Sequence, residues 1–224
     1  MPRIPRGQQG GLCFHVINRG NGRATVFRKP TDFGSFLALL SQAREIVPMR
    51  LLGLCLMPNH FHLVLWPINA GDLSRWMHWL MTSHVRRYRQ HYHDSGTGHV
   101  RQGRFKGFPV QDDRHLLTVL RYIEANPLRA GLVDRAENWP WSSLTDYPPG
   151  RWARLLTAWP VARPRDWLGR VNLRMDDGEL DELRGCVVRG RPYGSADWTA
   201  GTAKALALES TLRPRGRPRK SNQK

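Results

Sequence analysis

The sequence predicts an α+β fold, an antiparallel sheet with helices on one side, followed by a basic and partly helical C-terminal extension. The central observation is the stretch 51–67, LLGLCLMPNHFHLVLWP, which is typical of two apolar strands joined by a tight turn. Met57-Pro58-Asn59 supplies the turn, because Pro-Asn reverses a chain. A strand and a helical pattern precede this hairpin, and strand, helix and hairpin together form half of a split βαβ unit.

The other elements follow from apolar periodicity and from capping residues. The first strand covers 12–18. A helix begins at Thr31 or Asp32, and Pro48 stops it. The elements predicted after the hairpin are a long helix over 72–93, a Gly-rich loop over 94–103, a short strand over 107–110 and a helix from 112 or 113 that is closed by Pro127.

The second arm of the hairpin carries His60-Phe61-His62. Side chains alternate along a strand, so His60 and His62 point the same way, about 6 to 7 Å apart, and can converge on one metal ion. A second His-x-His, at 91–93, ends a helical pattern, where residues two apart are about 200° apart around the axis. The alternative for the strand pair is two ordinary half-exposed histidines at a sheet edge.

Tyr122 and Asn126 are four residues apart on the last of these helices. They therefore share one face, with a phenol and an amide within reach of the same point. A helical tyrosine is often only half-buried packing, but Asn126 is a poor interior helix residue and the neighbouring apolar stripe does not need it. Tyr88 and Tyr92, on the preceding helix, have no Asn or Gln four residues away on the same face.

The charge of the chain favours an anionic partner. Lys and Arg number 35 against 18 Asp and Glu, giving a net charge of +17. Nucleic acid is the leading partner and an anionic membrane surface the second. No run of about 20 apolar residues occurs and the N-terminus lacks a signal-peptide core, so we expect a cytoplasmic, nucleoid-associated protein. The three cysteines form no C-x-x-C pair and are expected to be reduced thiols.

Arginine-rich segments are the candidate DNA contacts. The end of the second helix, RRYRQHYH, mixes arginine with tyrosine, which suits phosphate contact and base stacking, although a solvated helix end would look the same. The predicted DNA-binding residues are Arg86, Arg87, Arg89, Arg104, Lys106, Arg129, Arg189, Arg191, Arg215 and Arg217.

The last four of these residues belong to two copies of R-G-R-P, at 189–192 and 215–218. This core resembles the AT-hook, whose extended backbone lays two arginines in the narrow minor groove of A·T-rich duplex DNA. The first copy lies between two helical patterns, over 179–188 and 196–208, and can equally be a helix-to-helix turn. The helix pair could also form a helix-turn-helix module.

Three further segments occur in a fixed order with the hairpin. They are GHVRQGRFKG, RYIEANPLRAGLV and WPWSS. Together with MPNHFHLVLWP, they make the chain, over about 10–147, similar to the single-tyrosine HUH transposases, specifically to the REP-associated tyrosine transposases. The resemblance implies a ferredoxin/RRM-like HUH catalytic domain over 1–147, which leaves 148–175 as a linker and 176–224 as the basic extension.

The resemblance also implies a function and a site. The expected reaction is metal-dependent cleavage and rejoining of single-stranded, hairpin-forming DNA through a 5′-phosphotyrosine. Tyr122 is then the nucleophile, and His60, His62 and Asn126 are the ligands of Mg²⁺ or Mn²⁺, although some relatives have Gln in place of Asn126. A monomer is favoured, with a dimer as the alternative.

The chemistry of the residues is consistent with this reaction. Breaking a phosphodiester bond requires a nucleophile and a positive charge near the non-bridging oxygens, which the phenol and a bound metal would supply. The competing function is a non-catalytic DNA-binding protein derived from a transposase. A zinc hydrolase is the third possibility, and it lacks a well-placed third ligand.

Overall fold

The protein, described here by a computed structural model, is built on one four-stranded antiparallel sheet. The structure describes residues 9–93, 98–145, 150, 152 and 155–213. The strands are β1 (Cys13–Arg19), β2 (Met49–Met57), β3 (His60–Pro67) and β4 (Lys106–Val110). Their order in the sheet is β2-β3-β1-β4, so the central strands are β3 and β1. The predicted α+β class and the antiparallel sheet are confirmed.

Seven α-helices surround the sheet in the described residues. They are α1 (Pro30–Ile46), α2 (Asp72–Tyr92), α3 (Arg114–Glu124), α4 (Asn126–Arg129), α5 (Trp167–Asn172), α6 (Asp177–Arg189) and α7 (Ala196–Ala205). One predicted helix is divided in two: α3 ends at Glu124, and Ala125 (φ −79°, ψ −2°) leads into the short α4. Pro127 lacks an N–H to continue the helical ladder, which accounts for the break.

The prediction placed the helices on one side of the sheet, and this detail is wrong. α1 and α2 pack on the face that carries Phe14, Phe61 and Leu63. α3, α5 and α6 pack on the opposite face, against residues such as Val64 and Phe108. Both faces of the strands are apolar, which requires a helical layer on each side to exclude water.

The segments after residue 148 share these buried cores. Trp152 and Leu155 join the α1–α2 side, whereas Trp167 and Leu183 join the α3 side. Tyr193 extends the sheet edge, because its N–H donates to the Pro109 carbonyl and its own carbonyl accepts from the Gln111 N–H, both at 2.9 Å. The division at 147 stays a prediction, but the described C-terminal residues pack on the sheet.

Two other expectations concern the cysteines and membrane-spanning segments. Cys13, Cys55 and Cys186 are buried free thiols. Within the described residues, no helix combines the length and the apolar composition that a membrane span needs.

A buried carboxyl group fixes α3 to the sheet. Glu124 is 1% exposed, and its two oxygens accept hydrogen bonds from the Ser143 hydroxyl (2.6 Å) and the Trp167 indole N–H (2.8 Å). The Ser143 hydroxyl in turn accepts from the Leu54 N–H of β2 at 3.1 Å. Burial raises the pKa of Glu124 although both hydrogen bonds oppose the shift. The carboxyl group thus connects α3, α5 and β2.

Replacing Glu124 with alanine should lower the free energy of unfolding by about 2 to 4 kcal/mol, because it leaves the buried Trp167 N–H unpaired beside a cavity, whereas the Ser143 hydroxyl can still donate to the Leu54 carbonyl. Glu124→Gln should cost less, since the amide keeps an acceptor. Because the pKa of Glu124 is raised in the folded protein, this carboxyl group ionises at a lower pH in the unfolded chain. The wild type should therefore lose stability relative to Glu124→Gln as the pH rises above 4.5, the ordinary pKa of glutamate. Urea titrations at several pH values measure both effects, and a pH-independent difference would contradict the second.

Candidate active site

Strand pairing brings three histidines together on the α3 face of the sheet. In the β1–β3 register, Ile17 lies opposite His62 and His15 lies opposite Val64, so His15 and His62 are diagonal neighbours on one face. His15 Nε2 is 2.8 Å from His62 Nδ1, and the two rings stack with their centroids 5.0 Å apart. The ring of His60 lies 5.0 Å from that of His62 on the same side. His60 and His62 therefore lie on the same face of the sheet, as the alternation along the strand predicted.

Hydrogen bonds decide which ring nitrogens are available for a ligand. His60 Nδ1 lies 2.6 Å from the Asn59 carboxamide oxygen, which can only accept, so the proton is on Nδ1 and Nε2 carries a lone pair. If His62 donates from Nδ1 to His15 Nε2, its own Nε2 is free in the same way. His15 is then protonated on Nδ1, a buried atom with no hydrogen-bond partner in the described chain. Asn59 and His15 can therefore set ring tautomers that present one free nitrogen each.

The surroundings hold all three rings neutral. Burial, reinforced by Arg19 and Arg101, lowers the pKa of His60 to about 4. Burial and then the neighbouring His60 lower the pKa of His15 to about 3, and the same causes keep that of His62 well below its ordinary value. Neutral imidazole is the form that binds metal ions.

Tyr122 and Asn126 approach these histidines from the α3–α4 junction. The Tyr122 ring stands perpendicular to that of His62, with centroids 5.8 Å apart. The Asn126 amide nitrogen lies 3.5 Å from His60 Nε2. The guanidinium of Arg129 covers the Tyr122 ring at 4.4 Å from its centroid. The predicted four-residue pairing thus survives the helix break at Ala125.

These positions fit a divalent ion in their donor chemistry. Among the described residues, His60 Nε2 meets only the Asn126 amide, at 3.5 Å, and His62 Nε2 carries a free lone pair when His62 donates from Nδ1 to His15. The oxygen and nitrogen of an amide are exchanged by a simple rotation, which would turn the Asn126 oxygen toward His60. In the described residues no cluster of three or more His, Cys, Asp or Glu side chains suits a metal ion, and the Asn126 amide is the candidate third ligand because it contacts His60.

The site lies in a cleft of about 350 Å³ whose charged lining is entirely positive. Arg19 comes from β1, Arg104 from the segment before β4, Lys106 from the first position of β4, and Arg184 from α6. Val187 and Val188 of α6 complete the wall. A phosphate group is the natural occupant of a cleft with four cations and no carboxylate in its lining.

The predicted DNA-binding residues fall into several places. Arg104 and Lys106 line the cleft, and Arg129 stacks on Tyr122. Arg86 and Arg89 line a second groove beside α2, which Arg104 also reaches. Arg87 lies elsewhere on α2, where it donates to the Gln42 side chain at 3.0 Å.

The first R-G-R-P copy forms the end of α6, as the helix-to-helix alternative expected. Gly190 is its left-handed C-cap, with φ of 72°. Arg189 donates to the Thr211 carbonyl and Arg191 pairs with Glu182 at 3.0 Å. Arg215 and Arg217 of the second copy lie outside the described residues.

Sequence reasoning missed three residues of the site. His15 could have been noticed as a lone polar residue in the apolar run CFHVI, but only the β1–β3 register shows that it meets His62. Arg19 lies one residue beyond the predicted first strand, 12–18, whereas in the structure it ends β1 beside the cleft. Arg184 lies 62 residues after Tyr122, and no spacing in the sequence connects the two.

Comparison with known proteins decides the family. The family model described as "Transposase IS200 like" matches residues 8–126, more than half of the chain. The chain belongs to the IS200-like transposases. The resemblance to the REP-associated tyrosine transposases is confirmed, and the protein is a DNA transposase.

Two relatives of this transposase are bacterial proteins. A Haemophilus influenzae protein that bears the name REP-associated tyrosine transposase is 30% identical over 148 residues, which are 61% of this chain and 81% of the relative. The REP-associated tyrosine transposase of Escherichia coli is 23% identical over 167 residues, covering 73% and 88%. A solved structure of a REP-associated tyrosine transposase bound to a REP hairpin superposes with a TM-score of 0.55 at 17% identity, over 73% of this chain and 93% of that one.

The two strand histidines of this transposase should differ in their effect on stability. His62→Ala removes a fully buried ring and the partner of His15, so we expect a loss of about 2 to 4 kcal/mol. His60→Ala, at the half-buried end of β3, should cost less than about 1 kcal/mol. Chemical denaturation of both variants checks this order, and equal losses would contradict the larger contribution expected of His62.

Proposed function

We propose that this transposase cleaves and rejoins single-stranded, hairpin-forming DNA of the REP type, with Tyr122 as the nucleophile and a divalent metal ion as cofactor. The observation that supports it most is the convergence of the Tyr122 phenol, two neutral imidazoles and an amide in one cleft with cationic walls. The substrate class comes from the relatives, whose names refer to REP elements, and from the related structure that holds a REP hairpin.

The covalent step can be written so that it balances. The Tyr122 oxygen attacks the phosphorus and loses its proton, the bond to the 3′ oxygen breaks, and that oxygen takes up a proton as a 3′-hydroxyl. The product is a 5′-phosphotyrosine, which keeps the energy of the ester bond, so a 3′-hydroxyl can attack it later and release Tyr122. No external energy source is required in either direction.

The residues around Tyr122 have separate tasks in this step. Arg129, stacked on the phenol, favours the negative charge that develops on the ring oxygen. Arg19, Arg104 and Lys106 hold the phosphate and neutralise its oxygens. A Mg²⁺ or Mn²⁺ ion bound by His60, His62 and Asn126 would supply Lewis acidity at the non-bridging oxygens.

The wider assignments are proposals of the same kind. The C-terminal tail, with Arg215 and Arg217, would add contacts to A·T-rich duplex DNA next to the hairpin. We also propose a monomer that acts in the cytoplasm, in association with the nucleoid.

Tyr122→Phe should abolish the covalent protein–DNA adduct and leave hairpin affinity within about twofold, because only one hydroxyl is lost. The measurement is denaturing electrophoresis after incubation with a hairpin labelled at its 5′ or its 3′ end, plus Mn²⁺. Tyr88→Phe is the matched control, since this tyrosine is buried on α2 and donates nothing to the cleft. An adduct that persists in Tyr122→Phe would remove Tyr122 from the mechanism.

His15→Phe should weaken Mn²⁺ binding by about 10- to 100-fold, because the ring that fixes the His62 tautomer is lost while its volume is kept. Calorimetric titration of Mn²⁺ into the apo protein measures this directly, and cleavage should recover at high Mn²⁺. His91→Phe, on the exposed end of α2, is the control. Equal Mn²⁺ affinity in wild type and His15→Phe would show that His15 does not act on the metal ligand.

A further inference from the structure

A second groove, separate from the cleft, runs between α2 and the segment that leads into β4. Its volume is about 800 Å³. Met77, Met81 and Val85 of α2 form one side, and Val100 and Phe105 form the other. Met81 and Val85 are only half-buried, so the groove presents an apolar floor to solvent.

The rim of this groove is positive. Arg86, Arg89 and Arg104 are exposed side chains in its lining, and the described lining contains no Asp or Glu. Arg101 adds a cation behind the floor: its guanidinium lies between the rings of Phe27 and Phe61, 5.3 and 5.2 Å from their centroids. The Arg101 guanidinium also lies 3.2 Å from His84 Nδ1, and its pKa, lowered by burial to about 9, leaves it charged at neutral pH.

The groove and the active-site cleft meet at Arg104, which lines both. They otherwise lie on opposite faces of the sheet, because α2 covers one face and α3 the other. A polyanion that leaves the cleft past Arg104 therefore enters the groove at the sheet edge.

We propose that this groove binds the single-stranded segment of DNA that adjoins the hairpin, with at least one unstacked base on the apolar floor and its phosphates on Arg86 and Arg89. The inference deepens the proposed function and rests on it for the identity of the substrate. Single-stranded DNA matches the groove in three respects: bases offer apolar faces to Met and Phe side chains, phosphates match the arginine rim, and the strand is continuous with the phosphate in the cleft.

The test compares three probes: a bare REP-type hairpin, and the same hairpin with a flank of about eight nucleotides on its 5′ or on its 3′ side. Fluorescence anisotropy with the full chain in EDTA, at several salt concentrations, gives affinity and salt slope. We expect one flank to strengthen binding by about tenfold or more. Arg86→Ala with Arg89→Ala should remove this gain and lower the salt slope for the flanked probe by about 1.4, two contacts at about 0.7 each, while binding of the bare hairpin stays the same.

Arg75→Ala is the matched control, an exposed arginine on the same helix but outside the groove lining. An abasic site moved along the flank tests the floor: one position should lose affinity in wild type and lose less in Met81→Ala, provided that thermal melting shows this variant folded. The proposal is overturned if neither flank changes wild-type affinity, or if the Arg75 variant behaves like the Arg86–Arg89 variant. If the flank strengthens binding as expected but Tyr122 forms no adduct with DNA, the proposed catalytic function is wrong, whereas the assignment of the groove to the single-stranded flank is retained.

Discussion

The antiparallel pairing of β1 with β3 is the constraint on which the site depends. This register places His15 beside His62 and fixes the face on which His60 and His62 emerge. A shift of β3 by one residue would turn His60 and His62 into the α1–α2 core, away from His15, and bring apolar residues such as Phe61 to the cleft. The shift is resisted by the apolar residues on both faces of the central strands, since any slip would bury the wrong set.

The second half of the site is fixed to the sheet by packing rather than by strand pairing. α3 carries Tyr122, and its position depends on the buried Glu124 carboxyl group two residues later and on close contact with β2. A Cβ at Gly53 would lie 2.6 Å from Leu120 Cδ2, so glycine allows α3 to approach the strand. Because α5 and α6 contact the same face, the C-terminal residues take part in shaping the cleft, and Arg184 belongs to its lining.

The sequence was informative where local chemistry decides the structure. The hairpin turn, the alternation of His60 and His62 and the four-residue spacing of Tyr122 and Asn126 depend on short-range geometry, and all of them are present in the fold. The helical layer on the second face, His15 and Arg184 were missed. Each depends on contacts between residues far apart in the chain, such as the 47 residues between His15 and His62, which periodicity cannot reveal.

The central claim, that Tyr122 becomes covalently joined to DNA, can be tested at the level of one peptide. Wild-type protein would be incubated with the flanked hairpin and Mn²⁺, trimmed with nuclease, digested with trypsin and analysed by mass spectrometry. The account predicts a nucleotide mass on the peptide 122–129, YIEANPLR, attached at its tyrosine. The same mass on a peptide that contains Tyr88 or Tyr92, or cleaved DNA with no modified peptide at all, would contradict it.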